Sequence, residues 1–476
     1  MSKIYKTPGV YIEEVHKFPP SVARVETAVP IFIGHTEFVK DDLNTSITTS
    51  SGNALKALRL DSFAGFQQHF GGAYSEDKVF DIKVNQFTPH NLMQHVTVAA
   101  NPKKFSGFYM FYSIQMFYAN GGGPCYILST GDFSKTFDDA DGALALEALS
   151  KIDEPTMIIF TDRHAASTEF TSGYPNLYNA TLAFCATLKD RIAVFDPWIF
   201  TGNLQQDASA IRKEFENVNL KYGTVYYPWL STTLNYFIDE AKVIVSDVGK
   251  QRSGVPDGKT LLEVKALNME LYNRIKTELT KITINVPPSG AVAGVIASTD
   301  KNSGVWKTPA GNKFWCVIKP TVALLSAEAA YLNVDSAEGK SINPIREFTG
   351  KGTLVWGSRT LAGNDNEWRY LQIRRFFIFV EESILKAAQQ FVFEPNDAGT
   401  WIKVKAMCEN FLTELWRQGA MQGAKPEQAF YVGVGLNSTM TSLDVLEGRL
   451  ILEIGIAAVR PAEFIISRLQ IKMASS

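Results

Sequence analysis

Between Cys125 and Trp229 the chain alternates short apolar runs with longer amphipathic ones, and this rhythm limits its fold more than any other feature. The apolar runs are 125–128 (CYIL), 156–160, 191–195 and 224–229, each of a length that suits a strand buried on both faces. Helical patterning fills the gaps at 141–149, 182–189 and 204–218. Parallel neighbours cannot be joined by a tight turn. The alternation therefore predicts an α/β architecture: a mostly parallel sheet with crossover helices.

Beyond residue 230 the pattern changes. Residues 284–306 (INVPPSGAVAGVIASTDKNSGVW) are dense in Pro, Gly and Ser and predict a surface loop region, with a domain boundary near 335–342. A strand is expected at 353–357. A long helix is expected at 366–391, its apolar face carrying Leu371, Phe376, Phe377, Val380 and Ile384. A second helix, 400–418, spaces Trp401, Val404, Cys408, Phe411 and Leu415 helically and is stopped by Gly419. Two strand-like runs follow at 430–434 and 449–457. Residues 36–116 resist assignment apart from a helix near 109–118.

The two ends match in kind. In 7–15 (TPGVYIEEV) Val10 and Ile12 alternate with Tyr11 and Glu13, and Phe18, Pro19 and Pro20 separate this run from the apolar 29–34 (VPIFIG). At the other end Pro461 precedes 464–473 (FIISRLQIKM), which holds Phe464 and Ile466 and where Leu469, Ile471 and Met473 face away from Gln470 and Lys472. A lone strand is not stable without a sheet to join. Both ends thus read as docking arms that complete a sheet in another molecule.

Composition closes off several functions. At 476 residues the chain is expected to hold two or three domains. Its 47 Lys plus Arg against 49 Asp plus Glu leave a net charge of −2, with no basic footprint for nucleic acid. The start lacks a signal-peptide stretch and no apolar run is long enough to span a bilayer, so cytoplasmic assembly without membrane insertion is expected. Cys125, Cys185, Cys316 and Cys408 are scattered and read as buried thiols. The six histidines show neither HxH nor HExxH spacing, and no phosphate-binding loop is present, so neither cofactor nor metal is expected. Asp162, Arg163 and His164 follow a predicted strand where α/β enzymes place catalytic groups, yet no GxSxG nucleophile accompanies them, and a solvated loop is the plainer reading. Arg374, Arg375, Lys403, Lys405 and Arg417 read as wet faces of amphipathic helices, or as a face for an acidic partner.

A series of segments in fixed order is similar to the tail sheath proteins of contractile phages and related injection systems. It runs from TPGVYIEEV and VPIFIGHTE through NGGGPCYI, VPPSGAVAG and GVWKTPAG to NPIREF, LVWGSRTL and WRYLQIRRFFIFVEESI. FEPN, FLTELWRQGAMQG and PAEFIISRLQ complete it; the resemblance is weakest over 36–116 and 211–285, the candidates for variable surface. The resemblance implies an α/β domain at 26–340, subtilisin-like in fold but without a working triad, and a shared α+β C-terminal domain at 341–460 that faces an inner tube. It further implies arms at 1–25 and 461–476 that add strands to neighbouring subunits.

The implied partners are identical sheath subunits, the tube protein, and baseplate and terminal cap proteins; Lys403, Lys405 and Arg417 are the expected tube-facing residues. The implied activity is structural: a helical polymer held in a metastable extended state contracts by repacking, with no catalysis. Two rival readings are another tube or baseplate component, or an α/β hydrolase using His164.

Overall fold

The computed structural model describes residues 21–40, 55–85, 95–101, 104–163, 174–247, 257–335 and 337–463. The chain divides into two compact units: a large one built on Glu26–Phe379 with 460–463, and a small one built on Val380–Val459 with 21–25.

The expected alternation produces an eight-stranded sheet in the large unit. Its order is Gly352–Val355, Asn343–Phe348, Gly223–Tyr227, Ile192–Phe195, Met157–Phe160, Pro30–His35, Cys125–Gly131 and Leu58–Leu60. The six inner strands run parallel, and each edge strand is antiparallel. Pro30–His35 is buried at all six positions, with Ile31 opposite Tyr126 on one side and Ile158 on the other. Burial on both faces is why these strands read as continuous apolar runs. The boundary expected near 340 lies elsewhere: Asn343 and Pro344 pair with Tyr226 and Tyr227, so the strand at 343–348 extends the same sheet. The division falls instead between Phe379 and Val380, inside the helix Leu371–Ala388. That helix is shorter than the expected 366–391.

The expected loop at 284–306 is a correction. Thr283–Val286 is a strand, and Ser289–Ser303 is a helix with ten of its residues buried. Its glycines allow close approach to the helix Met110–Ala119. A β-carbon at Gly290 would stand 2.4 Å from the Ser113 carbonyl oxygen, and one at Gly294 2.4 Å from that of Phe117. Glycines that look like turn signals along the chain are here the condition for two helix backbones to touch.

The two segments in which the resemblance is weakest converge. Phe80–Asn85 and His95–Ala100 from the first join Ile244–Asp247 and Lys259–Thr260 from the second in one four-stranded sheet. Val79, Ile82, Val245, Leu271 and Ile275 give it a separate apolar core under the helices Leu261–Leu267 and Met269–Thr280.

In the small unit Asp397 caps the helix Ala398–Arg417 by accepting from the Thr400 N–H at 3.0 Å. Val404, Met407, Cys408, Phe411, Leu412 and Leu415 form its buried face, and Gly419, at φ +82°, follows its end. Phe430–Gly433 and Glu453–Ile456 pair antiparallel as a two-stranded sheet, with Val432 opposite Ile454. The second strand is shorter than the expected 449–457.

One thiol departs from expectation. Cys125, Cys185 and Cys408 are buried, whereas Cys316 is exposed. Burial pushes the Cys125 thiol up to about 12 and that of Cys408 up to about 11, which leaves both unreactive near neutrality.

Candidate functional site

Two places could carry function: the crevice where an open α/β sheet binds ligands, and the points where the terminal segments join the folded units. The chain winds to one side of Pro30–His35 to reach Cys125–Gly131, then crosses to the other side to reach Met157–Phe160. The carboxyl ends on either side of that reversal are the usual ligand crevice. Here it is filled. Asp162 is buried, correcting the expected solvated loop, and its carboxylate accepts from the His35 N–H at 2.5 Å and the Tyr109 N–H at 3.1 Å. The Thr161 hydroxyl adds a third bond at 3.2 Å, and His35 Nδ1 lies 3.2 Å away. Tyr174 donates its hydroxyl to the Asp162 carbonyl.

His35 is walled in by Phe108 and Phe137, with ring centroids at 5.7 and 5.9 Å. Its Nε2 makes no hydrogen bond among the described residues and stands 3.9 Å from Asp141. A β-carbon at position 131 would come within 2.9 Å of that nitrogen, so the Gly131 backbone packs directly against the imidazole. The polar groups here tie strand ends together. His164 lies outside the described residues.

The roots of the terminal segments are built from arginines. In the small unit Arg24 donates to Glu414 at 2.7 Å and to Gln418 at 3.2 Å, both on or just past the helix Ala398–Arg417. The Val25 N–H reaches the Ser383 hydroxyl at 3.3 Å. In the large unit Arg375 forks onto Asp300, at 3.0 and 2.5 Å, and also donates to the Thr27 carbonyl at 2.9 Å. The Thr27 hydroxyl closes the set on Asp300 at 2.6 Å. At the other end Arg359 holds Glu463 through Nε at 3.0 Å and Nη2 at 2.5 Å, with the Tyr370 hydroxyl 3.3 Å from the same carboxylate.

Known proteins resemble this chain at two scales. Residues 363–472 match the phage tail sheath C-terminal domain. The tail sheath protein of Vibrio phage KVP40 is 29% identical over 136 residues, which span 29% of this chain and 20% of that relative. The solved contracted sheath of an extracellular contractile injection system, PVC, matches over 98% of both chains with 25% identity and a TM-score of 0.61. The contracted helical sheath of the anti-feeding prophage, AFP, matches over 98% of this chain and 99% of that one, with 26% identity and a TM-score of 0.62. The chain is a homologue of the contractile tail sheath proteins.

The expected arm residues Val10, Tyr11, Ile12, Glu13, Phe464, Ile466, Leu469 and Ile471 all lie outside the described residues. Lys403, Lys405 and Arg417 are exposed on the helix Ala398–Arg417. At about 3.6 residues per turn, Lys403 and Arg417 share a stripe with Glu414, the partner of Arg24, whereas Lys405 lies on another flank, 3.8 Å from Glu409.

The wet-face reading fails for Arg374 and Arg375, both buried. Arg374 is stacked against Tyr222 and Trp368, 5.0 and 4.8 Å from their ring centroids, and Arg375 holds Asp300. Sequence reasoning assigned no role to Arg24, Asp300, Arg359 or Glu463. The available signal was a charged residue set inside apolar or prolyl surroundings, as in LVWGSRTL and RPAEF.

Proposed function

We propose that this chain is a sheath subunit whose terminal segments add strands to sheets of neighbouring copies, so that the polymer grows helically around an inner tube. The observation that carries the reading is the two-stranded sheet of the small unit, Phe430–Gly433 with Glu453–Ile456. Among the described residues these two strands pair only with each other; a two-stranded sheet is marginal by itself, and an extended segment added at an edge would extend it. A strand passed from one copy to the next is a heterologous contact, which propagates into a filament when the rotation does not close. Contraction then proceeds from a metastable extended state by repacking copies that stay tied through their strands, and baseplate and cap proteins terminate the polymer. The engagement of Asp162 by the His35 and Tyr109 N–H groups supports a structural role for these residues. The Lys403 and Arg417 stripe is the face offered to the tube, with cytoplasmic assembly.

The test is truncation. Deleting residues 1–16, or separately residues 464–476, should leave a folded subunit that forms no hollow cylinders in electron micrographs. Cylinders of normal length and yield from either deletion would refute strand exchange.

A further inference from the structure

We propose that Arg359 is a positioning residue that clamps the root of the C-terminal segment, so that tension along that segment enters the large unit at Glu463. The inference rests on the strand-exchange reading and adds the residue through which the exchanged strand is held.

The geometry is that of an anchor. Arg359 is 4% exposed and Glu463 19%, and the two meet as a fork on a fork, Nε to Oε1 and Nη2 to Oε2, which fixes direction as well as distance. The remaining terminal nitrogen of Arg359, Nη1, lies 3.4 Å from each of the Asn333 and Gly363 carbonyl oxygens. The backbone of Arg359 is itself bolted to the sheet. Its N–H donates to the Asn343 side chain at 2.7 Å, and its carbonyl accepts from Asn343 Nδ2 at 2.8 Å and the Thr224 hydroxyl at 2.9 Å. Asn343 and Thr224 belong to two adjacent parallel strands, Asn343–Phe348 and Gly223–Tyr227, and both residues are fully buried. A pull on Glu463 therefore passes through the Arg359 guanidinium into two parallel strands next to one edge of the large sheet.

Removing the carboxylate leaves a buried guanidinium without its counter-charge, so its effect should concentrate at the root. The experiment compares full-length parent, Glu463→Gln, Arg359→Lys and the deletion of 464–476, by amide hydrogen exchange on the unassembled subunit and by cylinder yield in electron micrographs. Both substitutions should speed exchange at 460–463 about tenfold or more relative to the strands at 192–195 and 223–227, and lower cylinder yield about tenfold. Parent-level yield from both substituted proteins, with the deletion inactive, overturns the clamp and spares strand exchange. Faster exchange spread evenly through the sheet, or failure of both variants to fold, also overturns it, because the pair would then hold the core rather than the root. Normal cylinders from the deletion remove the underlying reading itself.

Discussion

Two arginine–glutamate pairs hold the ends of the described chain, and they sit in opposite media. Arg24 and Glu414 are 40% and 62% exposed, whereas Arg359 and Glu463 are 4% and 19% exposed. The contacts are equally short, at 2.7 and 2.5 Å, so geometry does not distinguish them. Solvent does. An exposed pair is worth about 0–1 kcal/mol and is screened by salt, while losing one partner of a buried pair costs about 3–5 kcal/mol because the other charge stays desolvated. The lesson is that the same chemistry makes a releasable contact at one end and a fixed one at the other.

The comparison is sharpened most by the third pair, Arg375 and Asp300, which is 4% and 5% exposed. Arg375→Met should lower the unfolding free energy by about 3–5 kcal/mol in urea titrations. Adding Asp300→Asn should recover part of the loss. A change below about 1 kcal/mol would break the rule that burial sets the cost.

A buried carboxylate with no cationic partner among the described residues probes the same rule from the other side. Burial pushes the Asp196 carboxyl up to about 7, against the opposing hydrogen bonds from the Ser289 N–H and hydroxyl at 2.8 and 2.5 Å. Its folded-state value lies above the unfolded one, so its contribution is complete below about pH 4 and is lost as pH rises through about 7. Stability should decline over that window by roughly 2–4 kcal/mol, and Asp196→Asn should flatten the slope. An unchanged slope in the variant would assign the pH dependence elsewhere.

The smallest effect belongs to the exposed pair. Arg24→Ala should cost about 1 kcal/mol or less in low salt and nothing measurable in 1 M salt. A loss that persists in high salt would show that this contact, too, is effectively buried.

The inner strands of the large sheet were legible because parallel strands bury both faces and so read as continuous apolar runs, as in Met157–Phe160 and Ile192–Phe195. The long helix Ala398–Arg417 was legible from the spacing of Val404, Cys408, Phe411 and Leu415. The helix Ser289–Ser303 was not, because Gly290 and Gly294 have the same composition signal whether they make a turn or admit a neighbouring backbone. Arg375 misled for a similar reason: a charge on an amphipathic helix looks wet until an Asp300 from a distant segment covers it. Of the proposed tube-facing set, spacing alone would have paired Lys403 with Arg417 and set Lys405 apart.

By itself the sequence determined the inner strands of the large sheet, the helix Ala398–Arg417, the α/β class and the resemblance to contractile sheaths, since periodicity and ordered motifs are local properties. Tertiary structure decided what lies side by side: Pro30–His35 inside the sheet, two sequence-distant segments merged into one four-stranded sheet, and Arg359 closed over Glu463. Those depend on contacts between residues far apart in the chain, and the cost or benefit of a charge is set by the solvent such contacts exclude.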